Sequence, residues 1–425
     1  MKVTSMRFLD RWVGVPMTAA LTGVRRLGDA MRGPDSEPPK RILIIKLVEQ
    51  GATVIAEPAI KRAIELVGRD NVFMAVFEEN RFILDLLDVV PSDNIITLRH
   101  NNLIVCAADT LRAIRRFRQE KIDTAVDFEF FSRFSGALTY LSGARRRVGF
   151  HSYAGEAGYR GDLMTHRVPY NITHHASQLY SVLVEAATMP ARILPAIDFE
   201  PAVGRHVTRF DPHPDEVKTV EAMVRRVIGR QEIPPFVLFN ANAGDMLQHR
   251  RWAAERYVEL AKRLLQRYPK LLIAFTGAPE EQLETEDIAN AVGSARCVSL
   301  AGQTTLRQLL VLYGLADILV TNDSGPAHFA SLTPVEVVTL FGPETPVVFG
   351  SKSTRSHIVY HSLACSPCVN AFNQRYTACT RSYCMEHISV DEVFDTVCRV
   401  FENRRNIIDL PTFAQPHSGE EHRAL

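Results

Sequence analysis

No run in the 425-residue chain approaches the ~20 apolar residues that a helix needs to cross a bilayer, so a membrane-spanning helix is excluded. Charge of one sign is equally scarce: 49 lysines and arginines face 48 aspartates and glutamates, a formal net charge of +1. Basic residues are not interleaved with aromatics, and nothing in this balance points to nucleic acid. No internal sequence repeat is present. What remains, 46% hydrophobic and 23% charged residues, is the composition of a soluble globular enzyme.

The most informative stretch runs from Gly314 to Ala330. Its apolar run 317–321 predicts a buried parallel strand, and Ala327 onward predicts a helix. Between them lies Asn322-Asp323-Ser324-Gly325-Pro326. Gly325 permits a tight turn, Pro326 suits a first helical position, and Asp323 and Ser324 are capping residues. Such a turn aims amide N–H groups, including that of Ala327, and the positive end of a helix dipole out of the carboxyl edge of a sheet. A phosphate binds at such a place. An ordinary capped strand–helix turn has the same local pattern.

Strands are expected in the C-terminal half at 235–240, 271–277, 297–302, 317–322 and 335–342, with helices at 253–268, 280–292, 305–316 and 327–332 between them. The N-terminal half repeats the alternation, with strands at 41–47, 71–77, 94–98, 123–129 and 146–150 and helices at 58–67, 81–87, 103–118 and 132–141. This predicts an α/β protein of two Rossmann-like domains, each a doubly wound parallel sheet, facing a cleft. The expected division is an N-terminal amphipathic arm and linker (1–38), an N-terminal domain (39–205), an interdomain linker (206–232), a C-terminal domain (233–410) and a disordered tail (411–425). Pro201, Pro212 and Pro214 mark the linker.

Two facing nucleotide-type domains are the outline of the GT-B glycosyltransferases, and the motifs point further. Asp323-Ser324-Gly325-Pro326-Ala327-His328 and Phe341-Gly342-Pro343-Glu344-Thr345-Pro346 stand in order with Arg250-Arg251-Trp252. Lys46 through Gly51, with Pro58-Ala59, completes the set. Over roughly residues 40–400 the chain resembles glycosyltransferase family 9, the lipopolysaccharide heptosyltransferases and their relatives. The first motif is similar to the family's D-[ST]-G-x-x-H, and Arg250-Arg251-Trp252 is similar to its K-x-W element. The resemblance implies an inverting, metal-independent transfer from a nucleotide-diphosphate sugar, ADP-heptose in the family, to a lipopolysaccharide or other glycan or lipid-linked acceptor.

A sugar nucleotide leaves a diphosphate behind, and cations and amides placed there stabilise the growing charge. Arg250, or Arg251 beside it, is the candidate cation, with Ser324–Ala327 as the amide donors; a solvated helix entrance is the alternative for the two arginines. Arginine in place of the family's lysine exchanges a point charge for a fork that grips phosphate bidentately. His328 either contacts phosphate or packs.

The family carries an Asp directly after the loop glycine as the base for the acceptor hydroxyl, but here Gly51 is followed by Ala52. A base is still needed, because a hydroxyl is a weak nucleophile until its proton is removed. Glu49, in the same loop, is the first candidate and Glu129 the second, with Glu57 and Asp127 nearby. Gly51 and Arg133 are expected on the acceptor side, where Arg133 and Arg145–Arg147 can hold acidic sugars; Arg145–Arg147 as a solvated loop is the commoner alternative. His174-His175 is too weak a pattern for a metal pair.

Cys365-x2-Cys368 followed by Cys379 and Cys384 is compatible with a structural zinc, free thiols or a disulfide. No cofactor is otherwise required. The first 32 residues mix Lys2, Arg7, Arg11, Arg25, Arg26 and Arg32 with Phe8, Trp12, Val13, Val15, Met17, Leu21 and Val24. They read either as a segment docked on a membrane interface or as an arm packed on the protein. The expected setting is the cytoplasm, peripheral to the inner face of the inner membrane. Two other functions stay open: a catalytically silent sugar-nucleotide-binding homologue, which Ala52 favours, and a GT-B-shaped sugar-nucleotide epimerase.

Overall fold

Most of the strands are continuous apolar runs rather than alternating ones, so both of their faces must be covered. The computed structural model describes residues 8, 10–30, 37–152, 158–196, 208–244 and 247–408. The expected tail 411–425, Pro201 and residues 1–7, 9 and 31–36 of the expected arm and linker lie outside the described residues.

In the N-terminal half, β1 (Ile42–Ile45), β2 (Val72–Phe77), β3 (Ile95–Leu98), β4 (Thr124–Asp127), β5 (Arg146–His151) and β6 (His166–Pro169) form a parallel sheet in the order β3-β2-β1-β4-β5-β6. In the C-terminal half, β7 (Phe236–Asn240), β8 (Leu272–Phe275), β9 (Cys297–Ser299), β10 (Ile318–Asn322), β11 (Glu336–Phe341) and β12 (Ser356–Tyr360) repeat it as β9-β8-β7-β10-β11-β12. Every residue of β1, β2, β7 and β10 is buried. Both sheets are doubly wound. They reverse direction between β1 and β4 and between β7 and β10.

The sequence anticipates ten of these strands and misses β6 and β12, one of the two edge strands of each sheet. Both are partly exposed and carry polar residues, so neither reads as a core run. The expected linker 206–232 contains a helix, Pro214–Ile228. His213 caps it, and Pro214 occupies its first turn, so this proline starts an element instead of separating two. The helix expected to begin at Pro58 begins at Gln50 and runs to Val67, with Pro58 inside it.

We label as α1 the helix Gly14–Ala30, as α2 Gln50–Val67, as α3 Leu103–Gln119, as α4 Arg133–Leu141, as α5 Ala176–Ala186, as α6 Ala254–Arg267, as α7 Gln282–Val292 and as α8 Gly325–Ala330. α1 packs on α4. The Asp10 carboxylate accepts the backbone N–H groups of Arg133 and Phe134 at 3.0 and 3.1 Å, capping α4 from outside it. Arg25 pairs with Asp162 at 2.7 Å, and the buried Thr22 hydroxyl accepts the Asp162 N–H at 2.9 Å. The arm is therefore packed on the protein. Phe8, Trp12, Val13, Val24 and Leu27 stay exposed on its outer side.

α2 from the first half packs against α8 from the second. Gly51 permits the approach: a Cβ there would lie 2.8 Å from His328 Cδ2 and 3.4 Å from Gly325 Cα. Gly51→Ala forces this contact apart and lowers unfolding stability by about 1–3 kcal/mol, the usual scale of overpacking. Chemical denaturation checks it, with Gly51→Ala/His328→Ala expected to recover part of the loss. An unchanged midpoint in Gly51→Ala refutes the close contact.

Candidate functional site

In a doubly wound sheet the carboxyl ends of the strands at the reversal point open a crevice, because the flanking connections lead away to opposite faces. Here two such points face each other. The loop after β1 carries Glu49, the loop after β10 carries Asp323, and the helices that follow these loops, α2 and α8, touch through Gly51.

On the C-terminal side, Asn322 at the end of β10 ties the loops together. Its Nδ2 donates to the carbonyls of Ala241 and Asn242 at 2.9 and 3.2 Å. Its Oδ1 accepts from the Trp252 N–H at 3.0 Å and from the Tyr257 hydroxyl at 3.2 Å. The Trp252 indole, buried, donates to Ile388 O at 2.9 Å. With Trp252 fixed, the turn Gln248–Arg250 carries the Arg250 guanidinium to the end of β10. There Nη1 donates to Asp323 O at 3.0 Å, Nη2 bonds Glu344, and Nε lies 3.7 Å from Asp323 Oδ2. Arg251 turns away to Glu284 at 3.1 Å, which corrects the pairing of the two arginines as alternatives: Arg250 faces the crevice.

Asp323 and Ser324 do not cap α8. Asp323 serves Arg250, and the Ser324 hydroxyl donates to Asn322 O at 3.2 Å. Pro326 sits in the first turn, as expected. α8 is six residues long, so Arg250 is a stronger positive group than the helix end. Burial pushes the Asp323 and Glu344 carboxyls up; for Glu344 it outweighs the opposing Arg250, Asp323 adds to it, and the value reaches about 8. Arg250 Nε, Asp323 Oδ2 and Glu344 Oε1 are buried without hydrogen-bond partners among the described residues. His328 is pushed down to about 4, by burial first and by Arg250 second. It is neutral at pH 7 and packs on Gly51, so it brings no charge to a phosphate.

On the N-terminal side, Glu49 precedes α2 in a left-handed conformation with φ 69°, and its side chain makes no cap bond. Its carboxylate is gripped by Arg375 through Nη1, with Nη2 at 3.4 Å from Oε2, and lies 3.9 Å from Lys46 Nζ. The buried Lys46 donates to Val48 O at 2.6 Å and to Glu129 Oε1 at 3.2 Å. Burial pushes its ammonium down and Glu129 opposes the shift. Glu129, expected as the second candidate base, accepts the N–H groups of Leu47 and Val48 at 2.6 and 3.0 Å besides Lys46. It holds the loop. Asp127 is buried against Arg160 and accepts the Ser135 hydroxyl at 2.9 Å, while the buried Glu57 pairs with Lys61 at 2.7 Å. Glu57 also accepts the Thr208 N–H at 3.3 Å and the Thr208 hydroxyl, in the segment between the two sheets; among the described residues, Glu49 alone of the four carboxylates pairs beyond that segment, with Arg375.

Two residues of the crevice escape sequence reasoning. Glu344 stands inside a matched motif, but nothing in that motif gives it a role. Arg375 lies among the cysteines with no local signal. Its Nε is 3.2 Å from Glu344 Oε1, and its guanidinium lies over the Phe349 ring at 5.3 Å. The result is an unbroken alternation of charge across the crevice: Glu129, Lys46, Glu49, Arg375, Glu344, Arg250, Asp323.

Arg133 does not open to the crevice. Asp10 holds it at 2.8 Å, and its Nε donates to Tyr159 O at 2.6 Å. Arg146 and Arg147 are buried, not a solvated loop; they donate to the carbonyls of Ala187 and Leu163 at 2.6 and 2.8 Å. His175 caps α5 and lies 2.8 Å from Gly350 O; burial pushes it down to about 3. Cys365, Cys368, Cys379 and Cys384 are free thiols, and among the described residues no group of three or more His, Cys, Asp or Glu is placed to hold a metal ion. The zinc expectation is not supported by this geometry, because Cys379 Sγ turns to Arg381 O at 2.8 Å and Cys384 is buried beside Gly342.

The model of glycosyltransferase family 9 (heptosyltransferase) matches residues 110–377. Over 146 residues the chain is 28% identical to lipopolysaccharide heptosyltransferase 2 of Salmonella typhimurium, covering 33% of this chain and 42% of that protein. The match thus spans about two fifths of the length of this curated relative. The solved Escherichia coli ADP-heptose lps heptosyltransferase II superimposes with TM-score 0.64 at 16% identity over 86% of this chain and 99% of that one. A family 9 glycosyl transferase from Veillonella parvula gives 0.64 at 15% identity over 87% and 99%. These two likenesses establish the fold, GT-B.

The Glu344 carboxyl has a consequence for stability. Its value rises from an ordinary 4.5 to about 8, so the folded chain keeps a proton that the unfolded chain releases. That contribution is complete below about pH 4.5 and is lost as pH rises through about 8. Glu344→Gln removes the titration, and its urea midpoint falls less between about pH 5 and pH 8 than that of the parent protein. Equal pH slopes mean that Glu344 is ionised throughout.

Proposed function

The chain belongs to glycosyltransferase family 9, and from that premise we propose that it transfers a heptose-like sugar from a nucleotide-diphosphate donor to a glycan or lipid-linked acceptor, with inversion. The observation that carries this reading is the meeting of the Arg250 guanidinium, held at the end of β10 by Asp323 and Glu344, on one side of the crevice with the Glu49 carboxylate on the other. The E. coli heptosyltransferase II is named for ADP-heptose and lps, and by likeness to it we take ADP-heptose as the donor and lipopolysaccharide as the acceptor.

In this mechanism the donor diphosphate lies against Arg250 and the Asp323–Ala327 turn. The acceptor hydroxyl attacks the anomeric carbon from the opposite face and gives its proton to Glu49. As that bond forms, the bond from the anomeric carbon to the diphosphate oxygen breaks, and the electron pair leaves on the diphosphate. Arg250 meets the growing charge with a guanidinium fork, the role a divalent cation fills elsewhere. Glu49 stands three residues before Ala52, the position of the family's Asp. Gly51 serves the acceptor side by letting the two halves close on it.

Among the described residues no helix is long and apolar enough to cross a membrane. The exposed Phe8, Trp12, Val13, Val24 and Leu27 on α1 and the residues before it, with Arg11 beside the Trp12 ring, supply a surface for peripheral contact with an anionic inner leaflet. Phe8→Glu/Trp12→Glu is expected to abolish flotation with anionic vesicles while leaving nucleotide affinity unchanged. Equal flotation of parent and variant rules the contact out.

Incubation with labelled ADP-heptose and UDP-sugars, with and without membrane extract, tests the transferase. Glu49→Gln lowers turnover ~100-fold or more, the usual effect of losing a general base. Arg250→Ala weakens ADP binding ~10-fold or more, the scale of a charge-assisted bond. Full turnover in Glu49→Gln refutes the base. Nucleotide binding without transfer in the parent, with activity gained in Ala52→Asp, favours the silent homologue.

A further inference from the structure

Arg375 links groups that the mechanism uses separately. Its Nη1 and Nη2 hold Glu49 from the N-terminal half, and its Nε faces Glu344 from the C-terminal half at 3.2 Å. Glu344 in turn bonds Arg250, so one carboxylate separates the two guanidiniums. The backbone prepares this reach. Gln374 and Arg375 both adopt positive φ, 55° and 57°, and the Arg375 N–H donates to Asn370 O at 2.9 Å. Asn373 Nδ2 closes the loop on Cys368 O at 2.7 Å. Two consecutive non-glycine residues in this conformation carry a backbone cost of roughly 1–3 kcal/mol each, which persists only where the surroundings enforce it.

We propose that Arg375 is a donor-exchanged clasp: it holds Glu49 until the incoming diphosphate takes that carboxylate's place on the guanidinium and releases Glu49 to the acceptor. This rests on the reading of Glu49 as the base. While gripped, the Glu49 oxygens point at Arg375 and not at an acceptor hydroxyl. A diphosphate seated on Arg250 arrives one carboxylate's width from Arg375, whose planar fork suits phosphate oxygens as well as it suits a carboxylate. The exchange needs no new cation and no large movement of chain. It makes the base available when the donor is present and occupies it otherwise.

A plain structural strut between the halves makes different predictions. If Glu49 competes with diphosphate for Arg375, removing its charge helps the ligand. Calorimetric titration with ADP, and with UDP in parallel, is then expected to show Glu49→Gln binding about threefold tighter or more than the parent. Arg375→Gln binds more weakly, and Arg375→Lys, which keeps charge but loses the fork, falls between. In Glu49→Gln/Arg375→Gln the gain from Glu49→Gln disappears, because the group competed for is gone. Thermal melting of each variant separates loss of fold from loss of ligand.

A strut gives unchanged or weaker ADP binding in Glu49→Gln, and that result overturns the clasp. So does a Glu49→Gln gain that persists without Arg375. The turnover assay keeps the two readings apart. Tighter ADP binding with full turnover in Glu49→Gln refutes the base and leaves the exchange standing. Lost turnover with unchanged ADP affinity does the reverse.

Discussion

The contact between the starts of α2 and α8 constrains everything around it. Gly51 has no Cβ, and the space of that missing atom is where His328 and Gly325 sit. Because the two helices begin at the reversal points of their sheets, this contact brings both carboxyl edges to one place. Glu49 and Arg250 belong to different halves, and the meeting of the helices is what brings them to one crevice. His328 matters here for its shape. Its neutral ring at pH 7 fits the packing and adds no charge beside Arg250.

Lys46, Glu129, Asp323 and Glu344 are buried and Glu49, Arg250 and Arg375 half-buried, and such a series carries a large desolvation penalty unless each charge has a partner. The alternation of the chain supplies it. Glu129 secures Lys46, which backs Glu49; Glu344 secures Arg375 and Arg250; Asp323 ends the series. Four acids and three bases leave one negative charge in excess. Burial answers this by holding the Asp323–Glu344 pair up, so that one proton is retained near neutrality and the series balances. A diphosphate arriving as proposed upsets that balance. In the proposed mechanism it displaces a carboxylate from a guanidinium, and the Arg375–Glu49 pair is more open to solvent than the Asp323–Glu344 end.

The two sheets are legible in the sequence because a parallel strand covered on both faces is a largely apolar run, as in Ile42–Ile45, Val72–Phe77 and Phe236–Asn240, and such runs alternate regularly with helical stretches. The edge strands β6 and β12 lack that signature, since His166-Arg167 and Ser356-His357 open them with polar residues, whereas the other edges, β3 and β9, open on apolar ones. Pro58 is a misleading marker for α2: proline favours a first helical turn, but here seven buried residues, Gly51 through Glu57, precede it within the helix. At the site, Arg250, Asp323 and Glu49 are visible because they sit in loops that follow strands. Arg375 is not, since its partner Glu49 lies 326 residues away and nothing local marks it. The choice between Arg250 and Arg251 depends on a single turn, Gln248–Arg250, whose direction the sequence does not encode in any recognisable pattern. The placement of Arg133 is hidden for a similar reason. Its carboxylate partner Asp10 lies in the N-terminal arm, 123 residues upstream.

The absence of an acid at position 52 is best understood through the backbone of Glu49. Ala52 is buried in the first turn of α2, next to the Gly51 position against which His328 and Gly325 pack. Glu49 starts from just outside the helix, and its positive φ sends the chain into α2 by an uncommon route. For a residue with a Cβ this conformation costs about 1–2 kcal/mol relative to the right-handed region. A glycine at 49 would relieve the strain but would remove the carboxylate. The fold instead keeps the strained glutamate, and the distortion turns its side chain across the crevice to Arg375 and away from capping α2. Strain that is retained where a carboxylate faces the opposite half has its simplest explanation in the work that carboxylate does there.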